Sequence, residues 1–512
     1  MKTMLPLSSN LLFVTLLTMF LLSCSARKDQ NHPETGVGQD KQKPNVVFIL
    51  VDDLGYGDVG SFGQEKIKTP SIDLLATEGI RFTEAYAGNA VCAPTRSCLM
   101  QGLHPGHARV RDNMINGYRE SLREKDFTVA MMFKEAGYQT GLFGKWGLAL
   151  HNQYGIPNTM GFDEFYGYLN QRHAHCHYPE FLYHNTERVY FPENGTHHLL
   201  ENYSAEQPYD KNGVCQPLGI EDPSKAVYAF DWYTQKSLDF VRANKDRPFF
   251  LYLAYTPPHG SYIVPELGMY KDMDWPLSHK VYAAMVSRVD TEIGKVMQLL
   301  KELDIDKNTL IIFASDNGNT MGNSKEGEEP TNVFFNNESP RAGRKGDIRD
   351  GAFHVPALAR WPGTILPGQT SDHIWAMWDF MPTVSDIVGV QPPYSSDGIS
   401  LLPLLKGERE KQSKHEFLYW EYQGEQAVRM DNWYGYRNRK GVLALYDLIK
   451  NPEQDKDLSD LHPDITQKID EIMKREHSPS DVWPSPGESK ETFKGRLKNL
   501  GIEGYPENVA DF

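Results

Sequence analysis

The chain has 512 residues, 40% of them apolar and 24% charged, the balance of a soluble globular protein too long for one small core; a large domain and a smaller one are expected. A formal net charge of −15 excludes a broad basic face and with it nucleic acid or an anionic membrane surface as partner, so any anionic substrate has to be drawn by local Arg and Lys. Five cysteines, at 24, 92, 98, 176 and 215, are too few for a disulfide framework, and one bridge at most is expected, with Cys98 buried.

The N-terminus carries Lys2, an apolar run over residues 11–22 and then Ser23-Cys24, too short to span a bilayer and typical of a secretory signal. Ser23-Cys24 resembles a bacterial lipobox. Cleavage there leaves a lipidated Cys24, and the expectation is an exported protein held by that lipid alone to the envelope of a Gram-negative bacterium; plain secretion is the alternative. Residues 25–44 are polar and without apolar periodicity, a flexible tether.

Residues 45–51, NVVFILV, form a continuous β-branched run, the mark of a parallel strand covered on both faces, and it ends on Asp52-Asp53. Two adjacent carboxylates after a buried strand are costly to bury without a counter-ion, which a cation would provide. A helix near residues 71–78 precedes the stretch 92–102, CAPTRSCLMQG. Pro94 suits a helix start, which places Cys92 just before a helix N-terminus where unpaired N–H groups favour an anion, with the Arg96 fork one turn on. A buried Cys packing as a small hydrophobe is the plainer reading of this stretch.

His107, Arg111 and Asn113 follow as candidates for the pocket or for loop surface. Residues 128–136 read as an amphipathic helix closed by Gly137, and 139–143 as a strand leading to Lys145. Residues 151–224 are irregular and rich in His and aromatics. His173, His175 and His177 alternate there and could line a strand and bind Zn or Cu, or lie scattered in loops that shape a pocket. A helix over 225–243 and a buried strand over 248–255 lead to His259. Residues 279–303 carry a helix-spaced apolar stripe, and the strand 309–315 stops at Asp316-Asn317, ahead of a polar Gly-rich loop and Lys345. Past residue 405, strands near 416–422, 427–430 and 442–448 and a helix near 463–476 fit a small antiparallel subdomain.

Four strand-like runs thus end at Asp52/Asp53, Lys145, His259 and Asp316/Asn317. Ligands in doubly wound α/β folds gather at the carboxyl ends of parallel strands, so these residues can converge.

The C-x-P-x-R stretch, with these motifs in the same order over most of residues 45–460, resembles the type I sulfatases of the alkaline phosphatase superfamily, and in particular bacterial carbohydrate exo-sulfatases. The resemblance implies an α/β fold with a helix-covered, mostly parallel sheet in a catalytic domain 45–405, and a C-terminal α+β subdomain 406–512. It implies oxidation of Cys92 to Cα-formylglycine by a maturation enzyme, the hydrated aldehyde being the nucleophile. Asp52, Asp53, Asp316 and Asn317, with the modified Cys92 close by, would ligate one cation, and an all-oxygen set with three carboxylates suits Ca²⁺ better than Mg²⁺. Arg96, Lys145 and Lys345 would neutralise sulfate, and His259 would protonate the leaving alcohol.

Two positions depart from that pattern. The family has Gly-Lys-Trp-His where this chain has Gly147, so a basic histidine is missing, and His107 or a differently placed base is expected to substitute; Asp350 stands where Glu is usual. The stretch 171–175, QRHAH, followed by a Tyr-Pro turn, resembles subfamilies acting on sulfated galactose or N-acetylgalactosamine of host glycans, with His175 as a sugar contact. The rival expectations are a phosphoester or phosphonate monoester hydrolase of the same superfamily and a non-catalytic glycan-binding lipoprotein.

Overall fold

The structure, a computed structural model, describes residues 43–114, 118–195, 209–217, 219–320 and 327–501. Cys24, the signal and the tether up to residue 42 lie outside the described residues. No helix among those described is long and apolar enough to cross a membrane.

The strand Asn45–Asp52 is buried along its whole length because it has a core on each side. Val47, Ile49 and Val51 face one apolar cluster, Val46, Phe48 and Leu50 the other. Its neighbours repeat the pattern. From edge to edge the ten-stranded sheet runs Gln369–Ser371, Ile80–Phe82, Ala357–Arg360, Thr309–Ser315, Asn45–Asp52, Phe249–Pro258, Gln139–Lys145, Glu164–Tyr168, Phe181–His184 and Glu187–Tyr190. The five strands from Thr309–Ser315 to Glu164–Tyr168 are mutually parallel, and antiparallel pairs flank them. Helices Pro70–Thr77, Ala229–Ala243 and Leu277–Glu302 cover one face, and Cys92–Gln101, Val129–Glu135 and Phe380–Val388 the other.

The stretch expected to be irregular, 151–224, instead supplies the last three strands at one side of the sheet. Asn185 makes the hairpin between the last two: it takes φ 54°, and its Oδ1 accepts from Phe165 N at 2.9 Å, tying the turn to the preceding strand. His173–His175 is a single 3-10 turn, so the alternating histidines do not share one strand face. Cys92, Cys98, Cys176 and Cys215 are all buried, and none of them forms a disulfide among the described residues.

Four antiparallel strands, Leu418–Tyr422, Glu425–Met430, Trp433–Arg437 and Leu443–Asp447, form a second sheet, as expected apart from Trp433–Arg437, which the sequence reading missed. Helix Pro463–Arg475 packs on one side through Ile469, Ile472 and Met473. The other side meets the large sheet's loops, where Trp420 donates its indole N–H to Ala87 O at 3.1 Å and Arg111 bonds Glu421 at 2.6 Å.

Candidate functional site

The four strands Thr309–Ser315, Asn45–Asp52, Phe249–Pro258 and Gln139–Lys145 lie side by side and parallel, so their carboxyl ends open on one place. Asp53 turns out of its strand with φ 63°, and its backbone N–H donates to Asp316 Oδ1 at 3.2 Å. Cys92 is the first residue of helix Cys92–Gln101, not the residue before it. Val91 is the extended N-cap, and Asn113 Oδ1 accepts from Ala93 N at 2.8 Å, closing the open first turn from outside. Pro94 is tolerated because first-turn N–H groups have no intrahelical partner to lose.

The expected residues meet in one connected network. Cys92 Sγ lies 3.3 Å from Asp52 Oδ1 and 3.6 Å from Lys345 Nζ. Lys145 Nζ contacts Asp52 Oδ2 at 2.6 Å, and Lys345 Nζ contacts Asp53 Oδ1 at 2.7 Å. Arg96 places Nη2 2.9 Å from Asp316 and 3.6 Å from Asp52, while Nη1 donates to Lys145 O at 2.6 Å. His259 Nε2 is 3.5 Å from Asp53 Oδ2 and its Nδ1 faces the Gly260 carbonyl.

Charge fixes the protonation states. Burial opposes the ionisation of Asp52, but Lys145, His259, Arg96 and Lys345 outweigh it and hold the carboxyl well below its usual range. Burial, with the Asp52 charge added, lifts Asp316 to about 7. Burial, again with Asp52, pushes the Cys92 thiol up to about 12, so it is not a thiolate at neutral pH. Burial and the charge of Lys345 bring His259 down to about 4.

His175 stacks on His259 with ring centroids 4.3 Å apart, and His177 Nε2 donates to the His259 carbonyl at 3.2 Å. His107 joins a different group. Its Nδ1 bonds Asp397 at 2.9 Å and its ring stacks on His104, whose Nε2 meets Glu476 at 3.2 Å. His107, the expected substitute base, therefore has its Nδ1 hydrogen bond committed to the linker that leads to the small sheet. This second His–carboxylate group is not built for a metal either. Gly106 N donates to His104 Nδ1 at 3.1 Å, which leaves the ring proton on Nε2, the atom a metal would need. Asp350 sits apart as well, bonded to Arg341 at 3.1 Å and Tyr86 at 3.2 Å. Two residues beside the site carried no sequence signal of the contacts they make: Asn113, a candidate for the pocket or for loop surface, and Gln171, which lies against Gly147.

Asp52, Asp53, Cys92 and His259 each offer a ligand atom within 4.8 Å of the others. Asn317 Nδ2 donates to Asp53 Oδ1 at 2.8 Å, and its Oδ1 is buried with no partner. An orphaned carbonyl oxygen among three carboxylates, one of them raised to about 7, is the deficit that a hard cation relieves, so the residues fit Ca²⁺.

A nucleophile position at a helix start, a carboxylate cluster and buried Arg and Lys at the strand ends define a hydrolytic site for esters of a tetrahedral oxyanion. The chain belongs to the sulfatase family and is a sulfuric ester hydrolase: the family described as Sulfatase matches residues 44–390, and the one described as N-sulphoglucosamine sulphohydrolase, C-terminal, matches residues 345–478. It is 30% identical over 384 residues to the N-acetylgalactosamine-6-sulfatase of Homo sapiens, covering 72% of this chain and 67% of that one. It is 28% identical over 432 residues to the human steryl-sulfatase, covering 74% and 72%. Among solved structures, Ps i-CgsB in complex with k-i-k-neocarrahexaose matches with a TM-score of 0.70 and 26% identity over 90% of this chain and 98% of that one.

Proposed function

We propose that this sulfatase removes sulfate from carbohydrates, namely sulfated galactose or N-acetylgalactosamine of host glycans. Cys92 is converted to formylglycine by a formylglycine-generating enzyme, and one Ca²⁺ is held by Asp52, Asp53, Asp316 and Asn317. The observation that carries the reading is the position of Cys92 Sγ, 3.3 Å from Asp52 and 3.6 Å from Lys345, with a thiol raised to about 12. Such a group sits where a nucleophile is needed and is useless there as a thiol. The sugar assignment is supported by the likeness to an N-acetylgalactosamine-6-sulfatase and by His175 lying against His259.

When present, the two groups supply a hydrated aldehyde as nucleophile and a positive charge that favours its ionised form. The chain does the rest. The buried Arg96 and Lys145 and the partly buried Lys345 bind and orient the sulfate oxygens and stabilise charge as it grows on them. His259 Nδ1–H donates to the Gly260 carbonyl, which turns Nε2 towards the reaction centre beside Asp53. The negative charge of a bound sulfate ester raises this histidine from about 4, so Nε2 can carry the proton passed to the leaving alcohol.

Mass analysis of the Cys92 peptide from protein made with a formylglycine-generating enzyme tests the first claim, and an unmodified cysteine throughout would refute it. Turnover of N-acetylgalactosamine and galactose sulfates, set against the matching phosphate monoesters, tests the second. Export and lipid anchoring at Cys24 belong to the same proposal, supported by the apolar run over 11–22. Metabolic labelling with a fatty-acid probe that marks the parent and Cys24→Ala equally would sink that part.

A further inference from the structure

The chain bends at Gly147, two residues after Lys145, and the space beside the bend is already taken. Gly147 has φ 81°, and a Cβ placed on it would stand 2.1 Å from Gln171 Nε2 and 3.4 Å from Arg96 Cδ. Gln171 follows the strand Glu164–Tyr168 and reaches back over the bend, donating from Nε2 to the Gly147 carbonyl at 3.3 Å. It is 4% exposed, and its Oε1 is buried with no hydrogen-bond partner. The Arg96 stem flanks the same space, its outer nitrogens fixed on Lys145 O and Asp316. A buried amide oxygen left unspent beside this bend, next to an anion-binding guanidinium, is a deficit that natural cores avoid without a use for it.

We propose, resting on the function proposed above, that Gln171 is a positioning residue of the sulfatase site. Its carboxamide fills the place of a side chain at 147, holds the Lys145–Gly147 bend and the Arg96 stem, and supplies there a hydrogen-bonding group that does not titrate. A histidine at 147 would displace the Gln171 carboxamide from this place. An amide neither takes nor gives a proton in the working pH range, so the proton that leaves the nucleophile is not received at this position.

The test is a double-mutant cycle on the full-length, matured protein, comparing the parent, Gly147→His, Gln171→Ala and the pair. Gly147→His alone is expected to lower the thermal midpoint by about 5 °C, and Gln171→Ala in the same chain to recover the part due to the clash, while the strain of a side chain at φ 81° remains. If Gly147→His does not fold, rescue of folding by Gln171→Ala counts as the same coupling. If neither folds, Gly147→Ala is measured with and without Gln171→Ala, and coupling is required there. Additive losses overturn the proposal. Gln171→Met, which keeps the length and drops the amide, is expected to hold the parent's midpoint while kcat falls roughly ten-fold at constant KM. The paired variant is expected to gain an ionisation below the ordinary histidine value in its pH profile, because burial and the neighbouring Arg96 disfavour the charged ring. An unchanged kcat in Gln171→Met, or a pH profile identical to the parent's in the pair, also overturns it. The stability cycle needs no turnover, so a parent inactive on every sulfate ester counts against the proposed function, whereas absent coupling counts against Gln171.

Discussion

Asn317 gives its amide hydrogen to Asp53 Oδ1 at 2.8 Å and keeps its own carbonyl oxygen buried without a partner. That one-sided pair lies beside Asp316, raised to about 7, and Lys345, which is held charged against burial chiefly by Asp53. A bound Ca²⁺ would satisfy the oxygen and favour the ionised form of Asp316. Binding only the folded state, it is expected to stabilise the protein by about 2.7 kcal/mol at a free concentration one hundred times Kd. Thermal midpoints should rise with free Ca²⁺, less with Mg²⁺, and fall back on chelation. Asn317→Leu, which removes the oxygen, should weaken the response, and a midpoint indifferent to Ca²⁺ in the parent would contradict the site.

His259 is placed to protonate a leaving group, so its value depends on how badly that group needs a proton. His259→Ala is expected to cut kcat by roughly 10²- to 10⁴-fold on a sugar sulfate, whose alcohol is a poor leaving group. The loss on a nitrophenyl sulfate should be far smaller. Equal losses on both esters would reassign His259 to binding. His175, stacked on it at 4.3 Å, should instead affect KM for the sugar.

How much of this was legible depended on where each residue's environment comes from. The central strands announce themselves because both faces are covered: Val46 to Val51 are all fully buried, and nothing polar interrupts the run until the site begins at Asp52. Strand ends that stop on Asp, Lys or His then mark the site before any fold is known. The three strands between 164 and 190 were missed because each has partly solvated positions and all are rich in aromatics or histidine. Tyr166 and His184, for instance, stack at 4.0 Å across a strand pair and show no alternation in sequence. The surroundings of His107 were illegible for a related reason. Its closeness to Cys92 in sequence carries no information about Asp397, the residue 290 positions away that holds it. Gln171 and Asn113 act through contacts with Gly147 and Ala93 that no local pattern encodes.

The junction between the catalytic helix and the small sheet has its own pH window. The bond to Asp397 raises His107 above its usual 6.5, so its stabilisation is complete below 6.5 and is lost as pH climbs through the raised value. The bond from His104 lowers Glu476 to about 2 from 4.5, so that contribution is complete above 4.5 and is lost as pH falls towards 2. Both are therefore complete between 4.5 and 6.5. Thermal midpoints should plateau there, and His107→Asn should flatten the fall on the alkaline side without changing the acid side. An alkaline limb unaltered in His107→Asn would remove this pair from the account.

Asn113 tests whether the first turn of the Cys92 helix has to be held from outside. Its Oδ1 accepts from Ala93 N at 2.8 Å, the N–H directly after Cys92, in the manner of a helix cap supplied from a distant loop. Asn113→Ala should cost about 1 kcal/mol of stability, the ordinary value of a lost cap. Catalysis should suffer more than stability, because the freed turn carries the nucleophile position while Asp52 and Lys345 stay fixed around it. Asn113→Asp keeps the acceptor and so should keep the midpoint. Its extra negative charge, placed at the helix start near Cys92, opposes the approach of sulfate and should appear as a raised KM with kcat nearly retained. The two variants thus separate holding from charge. If Asn113→Ala and Asn113→Asp lose kcat alike, the residue does something other than cap the turn.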